Sequence, residues 1–157
     1  LARLARNYFR SHTPATLQDF VWWSGLSVTE AKQGIYLIGS ELTEEQWKGQ
    51  TWYLHESGRT RGSIKGHIRF LPPYDELLLG YKDRTDVLPS EHYSKAFTGN
   101  GLFFPVILYE GQIVGNWDRK VKRNGCDPGY SLFRQESRID EALLDKAQQQ
   151  YMQFLGK

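Results

Sequence analysis

Cysteine, methionine and long apolar runs are all scarce in this 157-residue sequence. Cys126 is the single cysteine, which excludes an internal disulfide and suits a reducing compartment. No apolar run reaches the roughly 18 residues of a membrane-spanning helix, and no signal or transit peptide is visible. These absences predict a cytoplasmic protein with no membrane partner.

Metal and cofactor motifs are also lacking. The four histidines do not group with one another, with the cysteine or with carboxylates at metal-ligand spacing. They lie at His12, His55, His67 and His92. The Gly99-Asn100-Gly101 triplet is typical of a turn and not of a phosphate-binding loop. We therefore expect no metal and no cofactor.

Met152 is the only methionine, and the sequence begins at Leu1 inside a helical pattern. We therefore expect a fragment of a longer protein, with the missing N-terminal part of the same protein as a packing partner. Nothing in the sequence indicates symmetry, so we expect a monomer.

The net charge of +2 is small, but its distribution is uneven. Every charged residue between positions 59 and 69 is basic, and a second basic cluster occupies positions 119 to 123. Local basic clusters can contact nucleic-acid phosphates even when the net charge is low. The candidate phosphate-binding residues are Arg119, Lys120, Lys122 and Arg123 in the second cluster, and Arg59, Arg61 and Lys65 in the first. The alternative for both clusters is a solvated loop.

The first 56 residues have the pattern of three helices and a hairpin. Thr16 with Asp19, and Ser27 with Glu30, predict capping boxes at the second and third helices, and Gly25 predicts the stop between them. Residues 42–55 predict a hairpin that turns at Lys48-Gly49. This order is that of a winged helix-turn-helix.

The third predicted helix is a candidate recognition helix. Its inward face is predicted to comprise Val28, Ala31, Ile35 and Ile38. Thr29, Lys32 and Gln33 then point outward, as side chains that read a DNA groove must. The alternative is that this helix packs against a neighbouring part of the protein.

The rest of the chain predicts a small β domain. Residues 57–66 have a linker composition, and strands are predicted at 68–71, 77–81, 102–108, 112–117 and 130–135. A short helical turn is predicted at 92–97, turns are predicted at Glu110-Gly111 and Asn124-Gly125, and a helix is predicted from Ser137. The predicted apolar stripe of that helix is Ile139, Leu143, Ala147, Tyr151 and Phe154. The predicted fold is α+β, with a winged helix over 1–56, a linker over 57–66 and a β domain with a C-terminal helix over 67–157.

One stretch, LPPYDELLLGYKDR at residues 71–84, combines a proline pair, an acidic pair, an apolar run and three charges. It resembles the LLPxYDEyLLGYkDR stretch of the bacterial AlkZ-type winged-helix DNA glycosylases. PATLQDFVWWSGLSVTEAKQGI at 14–35 is similar to a winged-helix segment of that family. FPVILYEGQIVGNW at 104–117 is similar to a hairpin of that family, and the three matches come in the family's order.

The resemblance implies double-stranded DNA as partner, a barrel-like sheet, and excision of N7-alkylated purines, including the unhooking of interstrand crosslinks. The family's catalytic Gln-apolar-Gln or Gln-apolar-Asp triplet is missing from this sequence, so we expect the fragment to be inactive alone. Tyr74, Asp75 and Asp83 are the residues expected near the active cleft, where Tyr74 stacks on a flipped base and Asp75 orients water. The alternative for Asp75 is a turn cap paired with Lys82 or Arg84.

Three functional readings remain open. The first is the DNA-binding C-terminal part of a glycosylase. The second is a non-catalytic winged-helix DNA-binding or regulatory protein. The third is a structural module that docks on its own missing N-terminal part.

Overall fold

The computed structural model describes residues 1–58, 62–122, 125–134 and 139–154, with the backbone alone described over 120–122 and 125–128. Helices and antiparallel strands are both present, which confirms the α+β class. None of the helices in these ranges is long and apolar enough to cross a membrane. The chain forms two compact units, Leu1–Gly62 with Glu76–Asp83, and Ser63–Asp75 with Arg84–Lys157. The division into 1–56, 57–66 and 67–157 stays a prediction.

Three helices build the first unit, and both predicted capping boxes are present. The helices are α1 (Ala2–Ser11), α2 (Leu17–Ser24) and α3 (Val28–Leu37). Gly25 ends α2 in the left-handed conformation at φ 69°, which glycine adopts without a steric penalty. The fully buried Tyr8, Phe9 and Phe20 pack together as the centre of the core.

The predicted inward face of α3 is correct except at its first residue. Ala31, Ile35 and Ile38 are buried, whereas Val28 is 43% exposed. Gly34 is also buried, and a methyl group there would already contact Ala5 of α1 at 3.4 Å. Close packing of α3 on α1 therefore begins one turn after the helix starts.

A three-stranded antiparallel sheet follows the helices. Its strands are β1 (Ala15–Thr16), β2 (Leu42–Trp47) and β3 (Gln50–His55), in the order β1-β3-β2, and 3₁₀ turns at Gly39–Glu41 and Glu56–Gly58 flank the hairpin. Lys48 and Gly49 both have positive φ, as the predicted tight turn requires. The predicted hairpin is confirmed, and the short β1 is an addition that the sequence did not reveal.

Residues 77–81, predicted as a strand, do not form one. Glu76–Leu79 is instead a short helix, α4, with Leu78 buried. A short apolar run bounded by turn residues does not distinguish a strand from one helical turn, which explains the error. Here the Gly80 N–H donates to the Glu76 carbonyl oxygen at 2.7 Å and closes the helical turn.

The second unit contains a four-stranded antiparallel sheet in the order β4-β5-β6-β7. The strands are β4 (Ile68–Leu71), β5 (Val106–Tyr109), β6 (Gln112–Lys122) and β7 (Gly125–Leu132). The barrel-like arrangement is wrong, because β4 and β7 are the two edges of an open sheet and no pairing joins them within the described residues. Four strands are also too few for the closed barrels that proteins form.

Strand boundaries in this unit differ from the predicted ones. β5 begins after Pro105 and not at 102, and only an isolated bridge at Phe103 precedes it. β7 ends at Leu132, and the predicted end at Gln135 lies outside the described residues. The predicted turn at Glu110-Gly111 is confirmed by positive φ at both residues. A 3₁₀ turn (Ser90–His92) and α5 (Tyr93–Ala96) confirm the helical turn predicted in the preceding loop.

One helix, α6 (Glu141–Phe154), covers this sheet. Leu144 and Ala147 are its buried residues, and Trp117 packs between Phe70 and Tyr151 with ring centroids 5.5 and 4.8 Å away. The predicted stripe fails at Phe154, which is 84% exposed because the helix continues past its contact with the sheet. The predicted cap at Ser137 lies outside the described residues.

Candidate nucleic-acid interface

The 71–84 stretch is divided between the two units, and its second half, Glu76–Asp83, packs on α1 and α2. The Tyr8 hydroxyl donates to the Gly80 carbonyl oxygen at 2.9 Å. The Trp22 indole N–H donates to the Leu79 carbonyl oxygen at 3.2 Å. Helices α1 and α2 therefore satisfy two carbonyl groups at the end of α4 that have no partner within the helix.

Asp19 connects the same segment to the start of α2. Its Oδ2 accepts the Thr16 backbone N–H at 2.9 Å and the Thr16 hydroxyl at 2.6 Å. Its Oδ1 accepts the Lys82 backbone N–H at 2.8 Å. The side chain is 3% exposed, so this buried carboxylate is stabilised by three hydrogen bonds.

Gly80 lies directly against His12. A methyl group at Gly80 would stand 2.5 Å from His12 Nε2 and 2.8 Å from the Glu76 carbonyl oxygen, which leaves no room for any other residue. The His12 ring stacks on Tyr8 at 4.5 Å, and its Nε2 lies 3.2 Å from Glu76 Oε2. Burial, aided by the charge of Asp19, raises the pKa of Tyr8 and raises that of Tyr81 to about 12.

The three residues predicted near an active cleft fall into different surroundings. Tyr74 is half exposed, has a left-handed φ of 59°, and places its ring 5.9 Å from Phe103. Asp75 beside it is half-buried, and both belong to the second unit. Asp83 is exposed and belongs to the first unit. Bulky residues with positive φ are uncommon, and they concentrate at functional sites and tight turns.

The outward face of α3 carries the polar residues predicted for a recognition helix. Thr29, Lys32 and Gln33 are exposed. Tyr36, one turn further on, is 84% exposed. The Ser27–Glu30 capping box fixes the helix start, and its hydrogen bonds lower the pKa of Glu30. This face thus presents one cation, two polar groups and one aromatic ring on a rigid helix.

Residues 119–122 of the second basic cluster lie in the outer part of the β6–β7 hairpin. Pairing continues past the buried Trp117 to Lys122 opposite Gly125, so the last five residues of β6 form a two-stranded arm about 17 Å long. Asp118 Oδ1 accepts the Gly129 backbone N–H at 3.1 Å, which fixes the base of the arm. Arg119 is exposed. The side chains of Lys120 and Lys122, together with Arg123 and the predicted turn at Asn124, lie outside the described residues.

In the first basic cluster, Lys65 is exposed, whereas Arg59 and Arg61 lie outside the described residues. Among the residues that the structure does describe, no group of three or more His, Cys, Asp or Glu side chains is arranged to hold a metal ion.

A cleft in the first unit was not indicated by the sequence. Arg6, Arg10, Glu41 and His55 line it. Arg6 donates to both carboxylate oxygens of Glu41 at 2.7 to 3.0 Å, and these bonds lower the pKa of Glu41. His55 Nδ1 accepts the Ser57 backbone N–H at 3.1 Å. Arg6 and Glu41 satisfy each other, and His55 Nε2 lies 3.8 Å from Glu41 Oε2, so we interpret this part of the cleft as structural.

The matches found by comparison with known proteins are all described as DNA glycosylases. The profile of a family described as DNA glycosylase AlkZ-like matches residues 1–154. A Streptomyces sahachiroi protein named interstrand DNA cross-link repair glycosylase is 29% identical over 118 residues, which cover 71% of this chain and 32% of that protein. The solved structure of Streptomyces sahachiroi DNA glycosylase AlkZ is similar with a TM-score of 0.70 and 25% identity, over 89% of this chain and 38% of the other. The chain thus spans about a third of the length of these relatives.

Proposed function

Because this chain belongs to the AlkZ-like family of DNA glycosylases, we propose that it is the DNA-binding C-terminal part of a bacterial winged-helix protein that excises alkylated bases. In this proposal α1 to α3 and the β2–β3 hairpin are the winged helix. The protein acts as a monomer in the cytoplasm on double-stranded DNA. The substrates proposed are N7-alkylated purines and interstrand crosslinks, in keeping with the name of the Streptomyces sahachiroi relative.

The observation that carries the DNA-binding role is the β6–β7 arm. Four of the five residues at 119–123 are basic, and the backbone of Arg119, Lys120 and Lys122 lies on the part of β6 that extends past Trp117 as a two-stranded arm. A narrow hairpin with cations at its end can follow a groove and contact phosphates on both sides. The exposed Thr29, Lys32 and Gln33 of α3 are the proposed base-reading or phosphate-contacting groups of the winged helix.

The catalytic triplet expected of a glycosylase of this family is missing from this sequence. Hydrolysis of an N-glycosidic bond develops positive charge on the sugar, and a polar or anionic group must stabilise that charge and position water. The Gln-apolar-Gln or Gln-apolar-Asp triplet is missing from the 157 residues. We therefore propose binding as the role of this chain. Tyr74 is the residue proposed to stack on an extruded base, and Asp75 and Asp83 are proposed as positioning residues.

The alternative proposal is a non-catalytic winged-helix regulator, and the absence of the triplet is the observation that favours it. Both proposals predict DNA binding, but they predict different preferences for duplexes that contain an alkylated base. A regulator is expected to bind intact and N7-methylguanine-containing duplexes equally, whereas a glycosylase part is expected to prefer the lesion.

The test compares binding of the chain to a labelled duplex over 50 to 200 mM salt with binding by the Arg119→Ala/Lys120→Ala/Lys122→Ala/Arg123→Ala variant. Loss of four phosphate contacts is expected to reduce the slope of log K against log salt by about 3.6, since each contact contributes about 0.9. An Arg3→Ala/Arg10→Ala variant on α1 serves as control. An unchanged slope removes the arm from the interface, and no binding by the chain at 50 mM salt overturns the proposal.

Excision is measured in parallel, with the Streptomyces sahachiroi glycosylase as positive control. We expect that enzyme to unhook an interstrand crosslink, as its name states, and this chain alone to unhook no crosslink and to release no N7-methylguanine. Release by this chain would show that the catalytic group lies within its 157 residues.

A further inference from the structure

A groove of about 220 Å³ lies between β4 and α6 in the second unit, and its lining includes none of the residues assigned above to DNA binding. The buried Ile68 and Ala147 form part of its apolar floor. Its polar walls are His67 and Arg69 from the β4 side, and Lys146 and Gln150 from α6. We call it the β4–α6 groove.

Spacing groups the polar residues of each wall. His67 and Arg69 are two positions apart on an extended chain, so they share the face of the chain opposite to Ile68, and they line the groove from the edge of the sheet that β4 forms. Lys146 and Gln150 are four positions apart on a helix, so they lie one above the other along one side. The acidic residues of α6, Glu141 and Asp145, occupy the opposite side of the helix and do not line the groove. Among the residues that the structure describes, no carboxylate lines the groove.

The cations of this groove have no anionic partner among the described residues. Arg69 makes one hydrogen bond there, from Nη1 to the Ile68 carbonyl oxygen at 2.8 Å, which fixes the guanidinium at the sheet edge. The nearby carboxylate of Glu110 accepts the Gly66 backbone N–H at 2.7 Å. Two permanent cations and a histidine thus line this concave space, and no ion pair joins any of the three to a described carboxylate. This arrangement favours an anion, although the Glu110 carboxylate lies beside Gly66 at one end of the lining.

The donor types identify the anion. A fixed guanidinium fork, an ammonium and a carboxamide are the side chains that bind phosphate oxygens. The lining residues include no aromatic ring other than the imidazole of His67 and no apolar slot for a base, which disfavours a free nucleotide. We propose that the β4–α6 groove binds a phosphodiester group of the DNA backbone. This inference rests on the proposed function. The groove is a second phosphate-binding surface, in addition to the β6–β7 arm.

The test uses the whole chain and the same labelled duplex. Arg69→Ala/Lys146→Ala is expected to weaken binding roughly tenfold at 150 mM salt and to reduce the salt slope by about 1.8, the share of two phosphate contacts. Gln150→Ala, which leaves the net charge unchanged, is expected to weaken binding about threefold. Lys146→Arg is expected to bind as the unaltered chain does. All three altered positions are exposed, and thermal unfolding by circular dichroism verifies that each variant is folded.

The Arg3→Ala/Arg10→Ala variant is the matched control, because it removes the same charge from exposed positions of α1. If the groove variant and this control have equal slopes of log K against log salt, the loss of net charge explains the effect. The groove assignment is then overturned, while the proposed function stands. If the unaltered chain does not bind the duplex at 50 mM salt, the proposed function fails first.

Discussion

Replacing Gly80 by alanine tests how the 71–84 stretch is held in place. The new methyl group would stand 2.5 Å from His12 Nε2 and 2.8 Å from the Glu76 carbonyl oxygen, both well inside van der Waals contact. Overpacking of this kind costs about 1–3 kcal/mol, and displacement of Gly80 weakens the buried Tyr8 hydrogen bond, which is worth about 0.5–1.5 kcal/mol. We expect Gly80→Ala to lower the free energy of unfolding by about 2–4 kcal/mol.

The assay is urea unfolding followed by tryptophan fluorescence, with Gly39→Ala as the matched control. A methyl group at Gly39 meets no atom within 4 Å, and φ there is not positive, so its effect is expected to stay within about 0.5 kcal/mol. A double-mutant cycle with His12→Ala isolates the clash. Removing the imidazole leaves only the Glu76 carbonyl contact, so the Gly80→Ala cost is expected to fall by about 1–2 kcal/mol. A Gly80→Ala variant as stable as the control, or one equally destabilised with and without His12, would refute this account.

Two further predictions concern pH. The raised pKa of Tyr81, about 12, stabilises the fold fully below the unfolded value of about 10, and this contribution of at most about 2–3 kcal/mol is lost as the pH rises from 10 to 12. Tyr81→Phe is therefore expected to show a shallower loss of urea stability over that range, and an unaltered slope would contradict the assignment. The lowered pKa of Glu41 stabilises the fold above about pH 4.5, and this contribution is lost as the pH falls through the folded value. Glu41→Gln is expected to have a flatter melting temperature between pH 5 and 3 than the unaltered chain, whereas parallel curves would count against the Arg6 hydrogen bonds as its cause.

Local signals were predicted well from the sequence. Both capping boxes, the stop at Gly25 and the tight turns at 48–49 and 110–111 depend on residues no more than three positions apart. Their geometry follows from the local chain, whatever the rest of the protein does. The family resemblance inferred from three motifs is likewise confirmed by the match over residues 1–154.

The wrong predictions have a common physical cause. Each concerned a feature that depends on packing or pairing with a distant part of the chain, which the local sequence pattern does not specify. Val28 and Phe154 continue an apolar stripe past the point where the helix meets its neighbour, so both are exposed. The Leu77-Leu78-Leu79 run has the composition of a strand, but it lies in a single helical turn. The hydrogen bond from the Gly80 N–H to the Glu76 carbonyl oxygen closes that turn. Closure of the sheet depended on a pairing between its first and last strands, which no local pattern specifies.

Asp19 has a second role that the capping-box pattern does not predict. The capping-box pattern identifies one role for this carboxylate, at Thr16, while its second oxygen holds the backbone of Lys82, 63 residues further along the chain. All three of its hydrogen bonds are to protein groups, and the burial that makes them strong leaves it no access to a substrate. The most buried carboxylate beside the family stretch is therefore architectural, because a catalytic carboxylate must have an oxygen free for water or sugar. Asp19 therefore holds the Glu76–Asp83 segment on the start of α2, and this is the role that its contacts support.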